Sequence, residues 1–342
     1  MSFEESLEKN VVSTGKCVGC GTCVVVCPFN CLEYAKEKPS LTKECKVCGI
    51  CPQVCPQYEW SWPKAENFLF GRERKAEEDF GIHRRLVVAQ AKDEKILKAC
   101  QDGGVATALL VFALENGLID GAIVSGISRE KPFYPSPRLA TSFEEILECA
   151  GTRYSYSPNI LALAEGLKQK KANMAFVGTP CQIHAIRKLQ MSGLKKYTAP
   201  LKFVIGLMCS ECFIYDGLME KHIRQTLGLE LNSIRKINIK GKMFVTTKSE
   251  VKAIPLAEVK QYARKSCSFC DDFSSELADI STGGLGLDGW TFTIIGTEKG
   301  EELFSSAEKA GAIKTRNVNE EANALNLLRK LSAKKRQSLG SK

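Results

Sequence analysis

No apolar run in this sequence approaches the roughly 20 residues that a helical membrane span requires. The longest, ATALLVFAL at 106–114, is far too short. The opening stretch, MSFEESLEKN, is acidic and polar, where a secretory signal is basic and then apolar. No G-x-G-x-x-G follows a strand-like run and no Walker sequence is present, so neither a standard Rossmann site nor a P-loop is supported. The expected compartment is the cytosol, where thiols are kept reduced and a disulfide framework is not expected.

What is abundant is cysteine, with 16 in 342 residues. In a reducing compartment so many thiols point to metal or cluster ligation. The remaining composition, 44% hydrophobic and 25% charged, is that of an ordinary globular protein long enough for two domains. A formal charge of +9 would suit nucleic acid or an anionic membrane face. That count, however, treats every thiol as neutral. Each [4Fe-4S] core with four thiolates adds roughly two negative charges, so three clusters would cancel about six. A bound dinucleotide would cancel most of the rest, and no nucleic-acid partner is expected.

Two runs of one form, CVGCGTCVVVCP and CKVCGICPQVCP, stand between 17 and 56 at a constant offset. Each has the C-x2-C-x2-C-x3-C-P spacing of bacterial-type ferredoxins, in which the fourth cysteine reaches the other cluster. Cys17, Cys20, Cys23 and Cys55 are therefore expected to hold one [4Fe-4S] cluster, and Cys45, Cys48, Cys51 and Cys27 a second. A structural zinc module is the alternative, but zinc sites rarely use two interleaved cysteine quartets with a proline after each fourth ligand. Cys31 has no counterpart in the second run, where Glu59 stands, and reads as a small buried residue.

Residues 1–62 thus form a two-cluster ferredoxin-like domain, 63–85 a linker that wraps onto the next domain, and 86–342 a larger domain. Trp60, Trp62, Phe68 and Phe70 are expected to be buried. In the larger domain LVVAQA, GAIVSGI, MAFVG and LKFVIGLMC read as strands separated by helical patterns, a mixed α/β fold with some α+β character. Asp102 is a plausible N-cap for the helix that follows. KINIKGKMFVTT and the segments around ADISTGG and TFTIIG suggest an added antiparallel section. The basic ANALNLLRKLSAKKRQ closes the chain as a helix, and LRKLSAKKRQSLGSK reads as a solvated tail.

Glycine-rich helix starts let backbone amides approach a diphosphate. DGGVAT, AGTRYSYSP, VGTP and STGGLG supply Gly103, Gly104, Val105, Thr107, Thr152, Arg153, Tyr154, Gly178, Thr179, Pro180, Gly283 and Gly284 as the residues expected to hold a dinucleotide. Beyond the ferredoxin module, Cys100 and Cys149 read as core residues. Cys181 sits in the first helical turn after Thr179 and Pro180, where the helix dipole favours a thiolate. It is either a nucleophile with His184 as its base, or a ligand. Cys209 at the end of the next strand and the pair Cys267 and Cys270 favour the ligand reading, because four thiolates complete one further [4Fe-4S] cluster.

GGVATALL, GTRYSYSPN, VGTPCQIHAIRKL, IGLMCSECF and SCSFCDDFSSELADISTGGLG, in that order, resemble the family of coenzyme F420-reducing hydrogenase beta subunits. The two ferredoxin clusters in front resemble the branch that provides the electron-input subunit of archaeal reduced-F420 dehydrogenase complexes. The resemblance implies FAD as the dinucleotide, hydride exchange with coenzyme F420, and a cluster beside the flavin held by Cys181, Cys209, Cys267 and Cys270. Electrons would leave singly through the clusters to a membrane-bound dehydrogenase complex or soluble ferredoxin. The chain itself would be cytoplasmic, or peripheral on the membrane through partner subunits. Cys212, where relatives have a polar residue, is an alternative ligand. Gly296 replaces an arginine common in the family. Arg153 and the lysines near 240 are candidates for contact with the flavin or the acidic substrate. Hydrogenase, formate-dehydrogenase and sulfite-reductase input modules, a chlorophyll-intermediate reductase and a non-catalytic electron carrier are the alternatives.

Overall fold

The two cysteine runs wind into short helices, Thr22–Val25 and Ile50–Val54, each entered through a glycine at positive φ, Gly21 at 81° and Gly49 at 71°. Side chains with a Cβ seldom adopt that conformation, so the glycines let each loop turn tightly between its ligands. A hairpin of β1 (Leu32–Ala35) and β2 (Lys38–Leu41) joins the runs in this computed structural model, which describes residues 1–340. A helix of π form, Glu4–Val12, lays Leu7, Val11 and Val12 against Cys23, Leu32 and Cys51.

The next strands are β3 (Arg85–Ala91), β4 (Gly121–Ile127), β5 (Pro135–Ala140), β6 (Met174–Gly178) and β7 (Leu201–Leu207). They are followed by β8 (Lys236–Lys240), β9 (Lys242–Thr246), β10 (Val251–Pro255), β11 (Ile280–Gly283), β12 (Thr291–Ile295) and β13 (Ile313–Arg316). One eight-stranded sheet has the order β13-β3-β12-β11-β7-β6-β4-β5. β4, β6, β7 and β11 run parallel, and β3 shares their direction because β12 lies antiparallel between β11 and β3. The helices Val105–Glu115 and Pro180–Met191 bury their apolar residues on this sheet. As a result, the C-terminal ends of five strands open along one edge.

Several expectations change. The strands from ADISTGG and TFTIIG do pair antiparallel with each other, but they are central in the large sheet, where β11 also pairs in parallel with β7, and β8, β9 and β10 form the separate antiparallel section. Every residue of β12 is buried, which an edge section would not require. Gly104 rather than Asp102 occupies the N-cap. Residues Trp62–Phe70 of the linker region are helical, capped by the Ser61 hydroxyl; Phe68 is 51% exposed while Trp60, Trp62 and Phe70 pack against the core. The C-terminal segment is not a solvated tail. The helix Ala322–Gly340 seats Ala324 and Leu328 on Phe80, Phe273 and Phe292, and Arg336 donates to Glu276 and to the Asp79 carbonyl. The last two residues of that expected tail lie outside the described residues.

At the heart of the sheet's other end, Arg187 and Asp279 form an ion pair at 2.9 Å with both side chains 1% exposed. Asp279 also receives Thr297 Oγ1, the Val204 N–H and Lys299. Burial pushes its carboxyl up, but Arg187 and Lys299 outweigh that and hold it below the ordinary range. Its contribution is therefore complete above the ordinary carboxylate pKa and is lost as pH falls through the depressed one. Removing Arg187 leaves the buried Asp279 with only the half-exposed Lys299, at a cost toward the lower end of about 3–5 kcal/mol. Arg187→Met should lower unfolding free energy by that amount in urea titration at neutral pH, with the deficit shrinking in acid; an unchanged midpoint would contradict the account.

Candidate functional site

In the N-terminal module the fourth cysteine of each run has crossed to the other. Cys23 is pushed well up by burial and then by Cys20, Cys55, Cys17 and Cys51. Cys55 in turn is raised by burial and by Cys20 and Cys17. Cys51 is pushed up to about 12 by burial, Cys45 and Cys48, with Cys27 adding to it. Two cavities follow the same division. One is lined by Cys17, Cys20, Cys23 and Cys55, the other by Cys27, Cys45, Cys48 and Cys51. Cys31 is buried beside the second and donates to the Glu44 carbonyl at 3.3 Å.

A further quartet gathers where the sheet edge meets the module. Cys181 lies in the first turn after β6, Cys209 just past β7, Cys267 in the 3-10 helix Lys265–Phe269, and Cys270 at that helix's C-cap. Burial raises the Cys181 thiol, and Cys270, Cys209 and Cys267 raise it further. Cys270 is pushed up to about 12 by burial, against the opposing charge of Lys335. Cys212 joins them, its Sγ 3.9 Å from Cys209 Sγ and its N–H donating to Cys267 Sγ at 3.3 Å. Among the described residues no three His, Cys, Asp or Glu side chains close on one point as a single metal ion needs. The buried His184 ring is paired with Asp272 at 3.0 Å and stacked on Trp60 at 4.7 Å, so its partners exclude Cys181, whose sulfur instead meets Thr179 Oγ1 at 3.3 Å. Cys100 and Cys149 stand apart at the C-caps of two helices.

Arg264 and Tyr156 join this quartet to the first ferredoxin quartet. The guanidinium lies 4.0 Å from the Tyr156 ring centroid and donates to the Val18 carbonyl and Glu37, both at 2.9 Å. Burial opposes its charge, but Tyr156, Glu37, Cys212 and Cys181 hold it protonated. The buried Tyr156 hydroxyl, which has no hydrogen-bond partner, is raised by burial and then by Cys181 and Cys20. Lys188 bonds to the Tyr58 and Glu59 carbonyls, adding a second tie between module and large domain.

The glycine-rich segments collect at the same sheet edge. Gly103 follows β3, and a Cβ there would sit 2.6 Å from the Ala89 carbonyl oxygen and 2.8 Å from the Thr291 nitrogen. Gly104, Val105 and Thr107 start one helix, while Gly178, Thr179 and Pro180 start another. Gly283 ends β11, and Gly284 packs on the Asp102 carboxylate. The Gln101 side-chain amide nitrogen is buried there without a partner. Lys236 from β8 donates to the Gln101 carbonyl at 2.7 Å, and Lys240 to Asp288 at 2.7 Å. Tyr154 borders this region, its hydroxyl accepting from the Ile239 N–H, while among the described residues nothing ties Thr152 to it. Gly296, at the end of β12, packs against the Ala278 carbonyl instead.

Arg153 is engaged elsewhere. Its guanidinium donates to the carbonyls of Ser125, Glu148, Cys149 and Gly151, closing the C-terminal end of the Phe143–Glu148 helix. That is the usual place for a cation that satisfies terminal carbonyls. Sequence reasoning missed Arg264, Tyr156 and Lys335. For Lys335 the signal was present, since Ala324, Leu328, Ser332 and Lys335 recur on one helical face.

Comparison with known proteins accounts for these features together. The C-terminal profile of the coenzyme F420 hydrogenase/dehydrogenase beta subunit matches residues 171–321, its N-terminal counterpart matches 86–164, and a 4Fe-4S binding domain matches 10–33. The chain belongs to the family of coenzyme F420 hydrogenase/dehydrogenase beta subunits. It is 43% identical to a coenzyme F420 hydrogenase subunit beta from Methanosarcina barkeri, over 75% of this chain and 89% of that one. It is 31% identical to the F subunit of F(420)H(2) dehydrogenase from Methanosarcina mazei, over 86% and 83%. Among solved structures, a chain of the F420-reducing [NiFe] hydrogenase complex from Methanosarcina barkeri superposes with TM-score 0.73 at 37% identity, covering 78% of this chain and 92% of that one. This F420-family chain therefore carries a 4Fe-4S motif on the fold of an oxidoreductase subunit.

The Arg153 geometry has a direct consequence. Arg153→Met should remove about 1 kcal/mol or more of stability in chemical denaturation, because charged hydrogen bonds to terminal carbonyls are lost. Unchanged stability together with weakened flavin or F420 binding would instead make Arg153 a ligand contact.

Proposed function

We propose that this chain oxidises reduced coenzyme F420 and delivers the electrons singly to other subunits of a membrane-bound dehydrogenase complex or to soluble ferredoxin. When bound, FAD would accept the hydride and part with its two electrons one at a time, and [4Fe-4S] clusters would carry them. The observation that carries this reading is the continuity of three cysteine quartets from the sheet edge into the N-terminal module, with Arg264 and Tyr156 between the inner quartet and the first ferredoxin quartet.

The residues suit these groups. Cys17, Cys20, Cys23 and Cys55, then Cys27, Cys45, Cys48 and Cys51, line two separate cavities of the module. Cys181, Cys209, Cys267 and Cys270 would hold the third cluster, with Cys212 close enough to Cys209 to replace it. The dinucleotide would lie along the C-terminal strand ends, where ligands of open α/β sheets bind. Gly103, Gly104, Val105, Thr107, Gly178, Thr179, Pro180, Gly283 and Gly284 are at that edge, and two helix N-termini favour a diphosphate. Tyr154 would border it. The unpartnered Gln101 amide is a ready donor. Lys236 and Lys240 supply positive charge for an acidic substrate.

An F420-linked input module of a hydrogenase is the second reading, favoured by the higher identity to the hydrogenase beta subunits. The broader match to the F subunit of the dehydrogenase, 86% of the chain against 75%, favours the first. Among the described residues no helix is long and apolar enough to cross a membrane, so a membrane complex would be met through partner subunits.

Anaerobically purified protein should contain one FAD and about twelve irons, four for each cluster, and titration with reduced F420 should bleach the flavin. Absence of flavin or of bleaching overturns the proposal and leaves an electron carrier. In Cys270→Ala the ferredoxin clusters should persist while electron delivery to an acceptor dye falls at least tenfold and reduced flavin accumulates; a normal rate would take this quartet off the path.

A further inference from the structure

The C-terminal helix Ala322–Gly340 lies against the 3-10 helix that carries Cys267, and its Lys335 ammonium donates to the Cys267 carbonyl at 3.3 Å. Its charge interacts with all four thiols of the inner quartet, Cys270, Cys209, Cys267 and Cys181. Three residues earlier on the same helical face, the Ser332 hydroxyl is 1% exposed and has no hydrogen-bond partner among the described residues. The helix is fixed in place by Leu328 in the apolar core and by Arg336 on Glu276, so the ammonium is presented by a rigid element. Arg264 faces the same quartet from the opposite, module side, through Cys212 and Cys181.

We propose that Lys335 is a counter-charge of the inner cysteine site, a positioning residue that stabilises the cluster there in its more negative, reduced state and so sets its potential above that of a site without the cation. The inference rests on the reading of the quartet as a [4Fe-4S] site. A largely buried cation acts strongly on such a site because little solvent lies between to screen it. Addition of an electron makes the cluster more anionic, so a fixed positive charge favours reduction. It also offsets the negative charge that four clustered thiolates would bring together in a half-buried site. Lysine on a helix that begins some fifty residues past the last ligand makes this role independent of the ligand motif itself.

The test is an EPR-monitored redox titration, with iron analysis, of the intact protein and of Lys335→Gln and Lys335→Arg. Lys335→Gln should make the reduction equilibrium of one cluster about tenfold less favourable, about 59 mV lower for a one-electron couple. The two ferredoxin clusters should be unmoved, and Lys335→Arg should restore the potential. Selective loss of about four irons in Lys335→Gln, with retention in Lys335→Arg, equally supports the proposal, since charge alone separates the two variants. An unshifted potential, an equal shift in both variants, or loss of the cluster in both overturns it. If the wild-type protein itself holds only about eight irons and shows two cluster signals, the cluster reading of the quartet fails instead, and the two failures are distinguishable.

Discussion

The structure depends on bringing many thiolates together out of water. Of the twelve cysteines in three groups all but Cys48 are buried or half-buried, and burial is the leading cause wherever a thiol is raised, except at Cys209, where the Cys212 hydrogen bond leads. Such an arrangement is tolerable only where cations or metal offset the charge. Part of the chain's basic complement is turned inward. Arg264 and Lys335 reach inward to the quartets, while Arg187 and Lys299 neutralise the buried Asp279 that ties β7, β11 and β12 together.

This requirement also explains the join between the domains. Under the proposed function the module must bring its nearer quartet close to the quartet of the larger domain. Arg264 reaches from the segment before Cys267 into the loop at Val18 while stacking on Tyr156. Trp60 and Trp62 pack on His184, three residues past Cys181 on the helix that bears it. The start of the region between module and large domain is therefore packed, with a helix at Trp62–Phe70, while residues 71–79 are mostly exposed.

Much of the fold was legible because its strands are short apolar runs bounded by glycine. GAIVSGI and MAFVG became β4 and β6 with the expected limits. The order of strands was less so. An alternating segment such as TFTII reads as half-buried, yet β12 is enclosed on both faces because β3 and β11 flank it and helices cover the sheet. Likewise Asp102 looked like a cap, but the backbone turned two residues later at Gly104, leaving the carboxylate against Gly284.

The sequence by itself marked the ferredoxin-like quartets, since three cysteines two residues apart wrap a common centre locally and the repeat of the spacing in a second run points to an exchange of the fourth, an exchange that the two cavities follow. It also marked Cys181 at a helix start, Cys209 at a strand end, and Cys267 and Cys270 by their C-x2-C spacing, as a group of four. Only the tertiary structure decided which charges serve them. Arg153 was drawn to the end of a neighbouring helix, whereas Lys335 and Arg264, distant in sequence and unmarked by any motif, were brought to the thiols. Ligand spacing is a local property of the backbone, but counter-charge is placed by the packing of whole elements, and helical periodicity tells which face is buried without telling what it is buried against.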